Sequence, residues 1–403
     1  MYITFILMLF RSIFSFYLAG LVSAKSYILT LKENYVNDFE VHKISKEHDL
    51  QVFAEFKTGD YIPFYKIDHE DLIKYRSTLT RFFDIEEDIT ITLKDTDFVL
   101  VEDSENWNKI STNATVPWHL DRISKRNLPL DGTYPYKNCH MNSDMVIDTY
   151  VVDTGIDVTH SQFGGRAVWS ENFVDSTDTD CNNHGTHVAG LIGSEDYGVC
   201  KDANLYAVKV LDCRGSGSLS GVIKGIEWVY NAHINKKKAL ASTKKVVKSV
   251  INMSLGGGFS RALNKAIEYG VKNDNNFYVV VAAGNEDQDA CNGSPSGVKS
   301  ILTVMASDRD DNRAWFSNWG PCSDMYSPGV DVLSTIPNGK TAVYSGTSMA
   351  SPVLAGVLNH YLDMYPDMNM KAIKKQMILM STKDVISGEK EDTVSNLVYL
   401  ERK

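Results

Sequence analysis

The chain has 403 residues, 43% of them hydrophobic and 23% charged, with a formal net charge of -10 at pH 7. That is enough apolar chain for a large buried core, and more length than one average domain uses. The acidic balance argues against nucleic acid or an anionic membrane as the main partner, because phosphate binding needs a concentrated positive surface.

Residues 1–24, MYITFILMLFRSIFSFYLAGLVSA, form an apolar stretch that ends in small residues at Val22 and Ala24, the pattern of a secretory signal peptide. Arg11 interrupts it, which disfavours a membrane-spanning helix. The expectation is export, with the cell exterior as destination and the vacuole or cell surface as the other options. All six cysteines lie between Cys139 and Cys322. In an exported chain an even number favours disulfides over metal ligands, and spacing alone leaves their connectivity open. Sequons stand at Asn113, Asn252 and Asn292; the middle one sits inside an apolar strand pattern, where a glycan does not fit.

From Lys25 to about Glu105 charged helices mix with alternating strands. SYILTLK (Ser26 to Lys32) alternates at the strand period, HEDLIKYRSTLTRFF (His69 to Phe83) has helical spacing, and ITITLKDTDFVLVED (Ile89 to Asp103) returns to strands. This predicts a small α+β unit, followed by an exposed polar linker over Asp103 to Val116. Beyond Pro117, apolar strands alternate with helices. The strands are expected at Asp148 to Asp153, Asn204 to Asp212, Val246 to Ser254, Phe277 to Gly284 and Ser300 to Ser307. The helices are expected in HGTHVAGLIG, LSGVIKGIEWVYNAHIN and SRALNKAIEYGVKN. The run Lys236 to Lys238, with Lys244 and Lys245 after it, reads as a solvated loop between helix and strand. Continuous Val/Ile-rich strands separated by helices predict a mostly parallel sheet with helices on both faces. The active site of such a sheet lies beyond the carboxyl ends of its strands.

That rule selects polar residues just after apolar strands. Asp153 follows Tyr150-Val151-Val152 and precedes Thr154-Gly155; a turn-capping Asp is its plain structural role. His184-Gly-Thr-His187 opens a small-residue helix. With Cys181 the spacing could also suit a metal, but no HExxH helix accompanies it, and no metal is expected. Asn285 ends FYVVVAAGN, either as turn chemistry or as an amide aimed at an oxyanion. Ser348 lies in YSGTSMASPV, where the hydroxyls could all be helix caps. Gly346 permits a tight approach to Ser348, and Pro352 fits near a first helical turn, where a missing N–H costs little. A serine needs a base, and that imidazole needs a carboxylate to fix its tautomer. Asp153, His187 and Ser348 supply one of each.

Five blocks resemble the subtilisin-like serine proteases, nearest to the proteinase K branch: VVDTGID around Asp153, HGTHVAG around His187, SLGGG from Ser254, AAGN ending at Asn285, and SGTSMASP around Ser348. The order Asp, His, Ser is that of subtilisin. The resemblance implies a triad of Asp153, His187 and Ser348, with Asn285 and the Ser348 N–H as oxyanion hole. It implies that Ser254-Leu255-Gly256 and Gly215-Ser216-Gly217 pair with substrate backbone, and that Ala282-Ala283-Gly284 line the pocket for the side chain before the scissile bond. Residues 25–110 become a ferredoxin-like inhibitory propeptide, and 111–403 the catalytic domain. PWHLDRI from Pro117 resembles a mature start, which puts self-cleavage in the linker. Disulfides are implied for Cys181 with Cys213 and Cys291 with Cys322, leaving Cys139 for Cys200. No cofactor is implied for the chemistry, and a structural calcium is hinted at only by Asp324. Val353-Leu354-Ala355-Gly356 departs from the family's His-Val-Ala-Gly. The implied protein is a secreted, monomeric serine endopeptidase made as a zymogen, acting on proteins or peptides and inhibited by its own propeptide. Its rival is a catalytically silent binding protein that keeps its prosegment.

Overall fold

The structure is a computed structural model that describes residues 25–35, 39–58, 61–93, 97–99, 116–135, 138–140 and 142–401. The expected signal peptide, the sequon at Asn113 and most of the polar linker lie outside the described residues. The chain divides into two compact units. One runs to Phe53 and includes Pro63–Asp88; the other comprises Ala54–Ile62 and Ile89–Lys403.

The smaller unit follows the α+β expectation. Its elements are β1 (Ser26–Leu31), α1 (Phe39–Glu47), the first half of β2 (Gln51–Phe56), all but the first residue of β3 (Ile62–Asp68), α2 (His69–Phe82) and β4 (Phe83–Glu87). The sheet order is β2-β3-β1-β4, with β1 antiparallel to both β3 and β4. Asp68 caps α2 by accepting from the Asp71 N–H at 2.9 Å, which satisfies an orphan donor of the first turn. The helix then buries Leu72, Leu79 and Phe82 in one cluster with Leu29, Leu31 and Tyr65.

Two strands assigned to this unit from sequence, β5 (Thr90–Thr92) and β6 (Asp97–Val99), belong to the larger one. Its further elements begin with α3 (Trp118–Ile123), β7 (Met145–Asp153), β8 (Ala167–Asn172), α4 (His184–Gly193), β9 (Asn204–Lys209), β10 (Ser216–Ser218) and α5 (Leu219–Ala239). They continue with β11 (Val246–Met253), β12 (Gly257–Gly258), α6 (Arg261–Asn273), β13 (Phe277–Ala282), β14 (Gly293–Ser294), β15 (Leu302–Ser307) and β16 (Met325–Pro328). The last are β17 (Val332–Ile336), β18 (Lys340–Ser345), α7 (Thr347–Met364), α8 (Met370–Met380), β19 (Thr382–Lys383) and β20 (Asn396–Leu397). A nine-stranded sheet of order β19-β20-β16-β15-β13-β11-β7-β9-β8 dominates, parallel throughout except for the β19–β20 pair.

Every residue of β13 and β15 is buried, which is why these strands read as unbroken apolar runs rather than alternating ones. Two helix pairs, α4 with α7 and α5 with α6, pack on the sheet. Ser218 and Ser260 start α5 and α6 by accepting from the N–H groups of Gly221 and Leu263. The lysine run is not a loop: Lys236 to Lys238 form the last turn of α5. Lys236 meets the buried Asp148 at 2.5 Å and Lys237 pairs with Asp274, and cations there also suit the helix dipole. Asn252 is buried and Asn292 exposed, so only the latter of these two sequons is open to a glycan. No helix among the described residues is long and apolar enough to cross a membrane.

The short α3 is buried along its whole length and ties the front of the larger unit to its core. The fully buried Arg122 guanidinium holds Asp311 through two bonds of 2.6 and 2.9 Å and donates to the Lys125 carbonyl at 2.7 Å. Trp118 Nε1 donates to the Asp331 carbonyl. Removing one partner of a buried pair strands the other charge. Arg122→Ala, made in a Ser348→Ala background to prevent degradation, is therefore expected to lose about 3 to 5 kcal/mol of stability in urea unfolding.

Candidate functional site

The site is assembled at the carboxyl end of the parallel strands, where β7 delivers Asp153. Asp153 is fully buried, and its Oδ1 accepts from the Thr154 N–H at 2.7 Å. The same oxygen faces Nδ1 of His184 at 2.6 Å. Burial pushes the Asp153 carboxyl above its ordinary range, and the His184 ring beside it pulls the other way.

His184, and not His187, is thus the histidine joined to Asp153, which corrects the sequence assignment. His187 lies three residues further along α4. Its ring stacks on Tyr344 with centroids 4.3 Å apart, and its Nε2 lies 3.0 Å from the Ala342 carbonyl. Three residues advance a helix by about 4.5 Å along its axis, so a carboxylate at the strand end meets the first imidazole of the motif while the second is carried into the β17–β18 side of the core. The available signal was positional. The rule that chemistry collects where strands end and helices begin favours the residue that opens the helix.

A polar network fixes this junction. Asp180 accepts from the N–H groups of Asn182, Asn183 and Thr186 and from the hydroxyls of Thr154 and Thr186. Thr154 Oγ1 in turn accepts from the Gly185 N–H at 2.9 Å. The buried Lys209 Nζ donates to the carbonyls of Thr154 and Thr179, both at 3.1 Å. Gly155, at φ +108°, and Gly185 let the two backbones touch: a Cβ on Gly185 would lie 2.0 Å from the Gly155 carbonyl oxygen.

Ser348 is the second residue of α7, a helix buried along all but its final residue. Its Oγ donates to the Ser254 carbonyl at 3.2 Å, and the Ser254 hydroxyl donates back to the Ser348 carbonyl at 3.0 Å. The second bond has a cause four residues on. Pro352 is the sixth helical residue rather than part of the first turn and has no N–H for the Ser348 carbonyl, so Ser254 supplies the donor. The neighbouring hydroxyls have structural partners: Ser345 Oγ accepts from the Asp331 N–H, and Ser351 Oγ lies 2.8 Å from Ser254 Oγ. Thr347 donates through both its N–H and its hydroxyl to Asn285 Oδ1, at 2.9 and 2.8 Å. This holds the oxygen end of the Asn285 amide at Thr347 and turns the NH₂ end away from it.

Asn285 and Ser348 line one pocket of about 120 Å³, with Ser254 to Gly258 on one wall and Ala282 to Gly284 on another. The two segments expected to receive backbone hold a strand of the chain itself. In β5, Thr92, Ile91 and Thr90 pair antiparallel with Ser216, Gly217 and Ser218, Leu93 N–H donates to the Gly215 carbonyl at 2.8 Å, and Thr92 bridges to Gly256. Beyond the pocket β6 pairs with β18, setting Asp97 opposite Ser345. Sequence reasoning did not find this arrangement.

Cys181 is joined to Cys213, Cys291 to Cys322 and Cys139 to Cys200. With Cys181 bonded, His184 on Asp153 and His187 turned to Ala342, the alternative Cys181-His184-His187 ligand set is not assembled. Asp324 is held by Lys374 at 2.7 Å and by the Thr303 N–H.

The profile of the subtilase family matches residues 149–398. Subtilisin-like protease 6 of Trichophyton verrucosum (strain HKI 0517) is 44% identical over 311 residues, covering 76% of this chain and 73% of its own. Cerevisin of Saccharomyces cerevisiae is 41% identical over 321 residues, covering 75% of this chain; the match spans about half of cerevisin's length, 49%. Among solved structures, that of a cold adapted subtilisin-like serine proteinase matches with a TM-score of 0.65 and 39% identity, over 72% of this chain and 99% of the other.

The close approach of Gly185 to Gly155 gives a test of the junction. Gly185→Ala must push the Asp153 and His184 loops apart, and overpacking of this kind costs about 1 to 3 kcal/mol. Calorimetry should show a lower Tm, and activity should fall further than the loss of folded protein explains.

Proposed function

Because the chain belongs to the subtilase family, we propose that it is a serine endopeptidase, made as a precursor that cuts itself, with Asp153, His184 and Ser348 as its triad. The observation that carries this is the 2.6 Å contact between a fully buried Asp153 and His184. It holds an imidazole with Nδ1 on the carboxylate, which assigns Nε2 to proton transfer. His184 Nε2 takes the proton of Ser348 Oγ as that oxygen attacks the peptide carbonyl, and returns it to the leaving amine when the C–N bond breaks. Water then attacks the acyl ester by the same route and frees Ser348. The negative oxygen of each tetrahedral intermediate is received by the Asn285 NH₂ and the Ser348 N–H, the latter at a helix N-terminus whose dipole favours negative charge.

The strand pairing supports self-processing. β5 lies along the Gly215–Gly217 and Ser254–Gly256 edges as a substrate would, and β6 pairs three residues before Ser348. With Leu93 bonded to Gly215 on the substrate edge and Asp97 opposite Ser345, the reading puts the cut between Leu93 and Asp97 rather than near residue 110. Residues 25 to the cut then act as propeptide, delivered to an export route by residues 1–24, and the mature enzyme takes extended protein segments through backbone pairing. The silent-binder alternative keeps the same strand in place but never cuts it.

Wild-type protein expressed in a protease-free host is expected to yield a mature chain beginning within Lys94 to Asp97, while Ser348→Ala stays full length. Equal processing of the two would defeat the autocatalytic reading. A phosphonylating serine probe should label Ser348 in His187→Gln and fail to do so in His184→Ala, whose kcat should drop by at least about 10⁴-fold. The reverse pattern would return the base role to His187.

A further inference from the structure

The family resemblance hints at a calcium ion on Asp324, and the structure puts a different cation there. Lys374, on α8, extends its ammonium to three oxygens: the carbonyls of Lys299 at 2.9 Å and Ile301 at 2.6 Å, and Asp324 Oδ1 at 2.7 Å. An ammonium has three N–H donors, so each one has an acceptor. The other carboxylate oxygen, Oδ2, accepts from the Thr303 N–H at 2.9 Å. Both side chains are mostly enclosed, Lys374 being 16% and Asp324 12% exposed. Burial pushes the Asp324 carboxyl above its ordinary range, and the Lys374 ammonium pulls it back. Two carbonyls and a carboxylate are the hard oxygen donors that calcium takes, but calcium needs them at about 2.3 to 2.6 Å. An ion that close to all three would overlap the Lys374 Nζ. The residues present therefore do not fit a calcium ion alongside Lys374.

The oxygens come from separate parts of the larger unit. Asp324 immediately precedes β16, Thr303 lies in β15, and the two carbonyls close the segment that leads from β14 into β15. That segment begins at the pocket beside Ser348, which Gly293 and Ser296 line. Ser296 Oγ donates to the Ala290 carbonyl at 2.8 Å, and the Ser296 carbonyl accepts from Thr303 Oγ1 at 3.0 Å. Lys374 thus anchors the far end of a stretch whose near end walls the pocket. Charge agrees as well: one ammonium neutralises one carboxylate, whereas a divalent ion would leave a positive charge in excess.

We propose that Lys374 is the chain's own replacement for a structural metal ion, a tethered cation that holds residues 293–301 to β15, β16 and α8 whatever the calcium concentration. A dissolved ion stabilises only in proportion to its occupancy. An attached ammonium is present in every folded molecule. The device is independent of the peptidase chemistry. With the ammonium removed, the same three oxygens, completed by water, become an open calcium site of weak affinity, about 10⁻³ M.

The test uses the full chain carrying Ser348→Ala, which prevents self-digestion, with and without Lys374→Met. In chelator, calorimetry should show a Tm at least about 4 °C lower for Lys374→Met. Calcium at about 10 mM should restore about 2 °C of that loss, beyond any shift it causes in the parent. Equilibrium dialysis should count one more calcium per chain in Lys374→Met than in the parent, and adding Asp324→Asn should abolish the extra ion. Hydrogen exchange over residues 293–301 of the parent, which requires no variant at Lys374 to fold, should be the same in chelator and in calcium. A Tm unchanged by Lys374→Met, equal calcium counts, or an extra ion that survives Asp324→Asn would overturn the inference. So would calcium-dependent protection of residues 293–301 in the parent.

Discussion

A carboxylate without solvent, Asp153, sets the terms for the rest of the site. Burial disfavours its charged form, so the fold must bring donors to it. One is the next N–H along the chain and the other is the His184 ring. The ring reaches Asp153 only if α4 starts against the end of β7, and that demand propagates outward. Asp180 and Thr154 cross-link the two loops, Lys209 grips the carbonyls of Thr154 and Thr179, and Gly155 and Gly185 clear the space between the backbones. The sheet contributes by placing Asp153 and Lys209 in register on adjacent strands.

Ser348, the proposed nucleophile, is positioned by a different device. α7 lies in the core, and a proline in its second turn leaves the Ser348 carbonyl without a helical donor. Ser254 provides one, and its carbonyl accepts the Ser348 hydroxyl. One residue thereby joins the start of the helix to the segment that walls the pocket, just as Asn285 and Thr347 join the helix start to the end of β13. Orientation comes from these pairs, so the serine can be both fixed in backbone and placed at the pocket.

Backbone recognition and side-chain recognition are separable in this architecture. The edges at Gly215–Gly217 and Gly256 bind β5 through main-chain pairing that any extended sequence can make. The pocket wall beside these edges is built mostly of small residues, and Asn318 there donates to the Glu286 carboxylate at 2.8 Å. The strand that lies on those edges belongs to the larger unit although it immediately follows β4, because its partners are β10 and Gly256 rather than the small sheet.

Much of this was determined by the sequence alone. Periodicity gave α4, α5, α6 and the buried strands, because a parallel sheet covered by helices imposes unbroken apolar runs and three-to-four-residue steps whatever surrounds them. Strand-end position singled out Asp153, Asn285 and Ser348. Tertiary structure decided what local pattern leaves degenerate. HGTH offers two imidazoles of equal chemistry, and only the helix axis relative to Asp153 separates His184 from His187. The Lys236–Lys238 run looked like a loop because charge density says nothing about Asp148 and Asp274, which are distant in sequence and near in space. Pro352 looked harmless at a helix start, and its cost is met by a hydroxyl 98 positions away in sequence, at Ser254. The strand at Thr90–Thr92 reads the same in either unit, since a strand's partners are set by which edges are open to it and not by its own alternation.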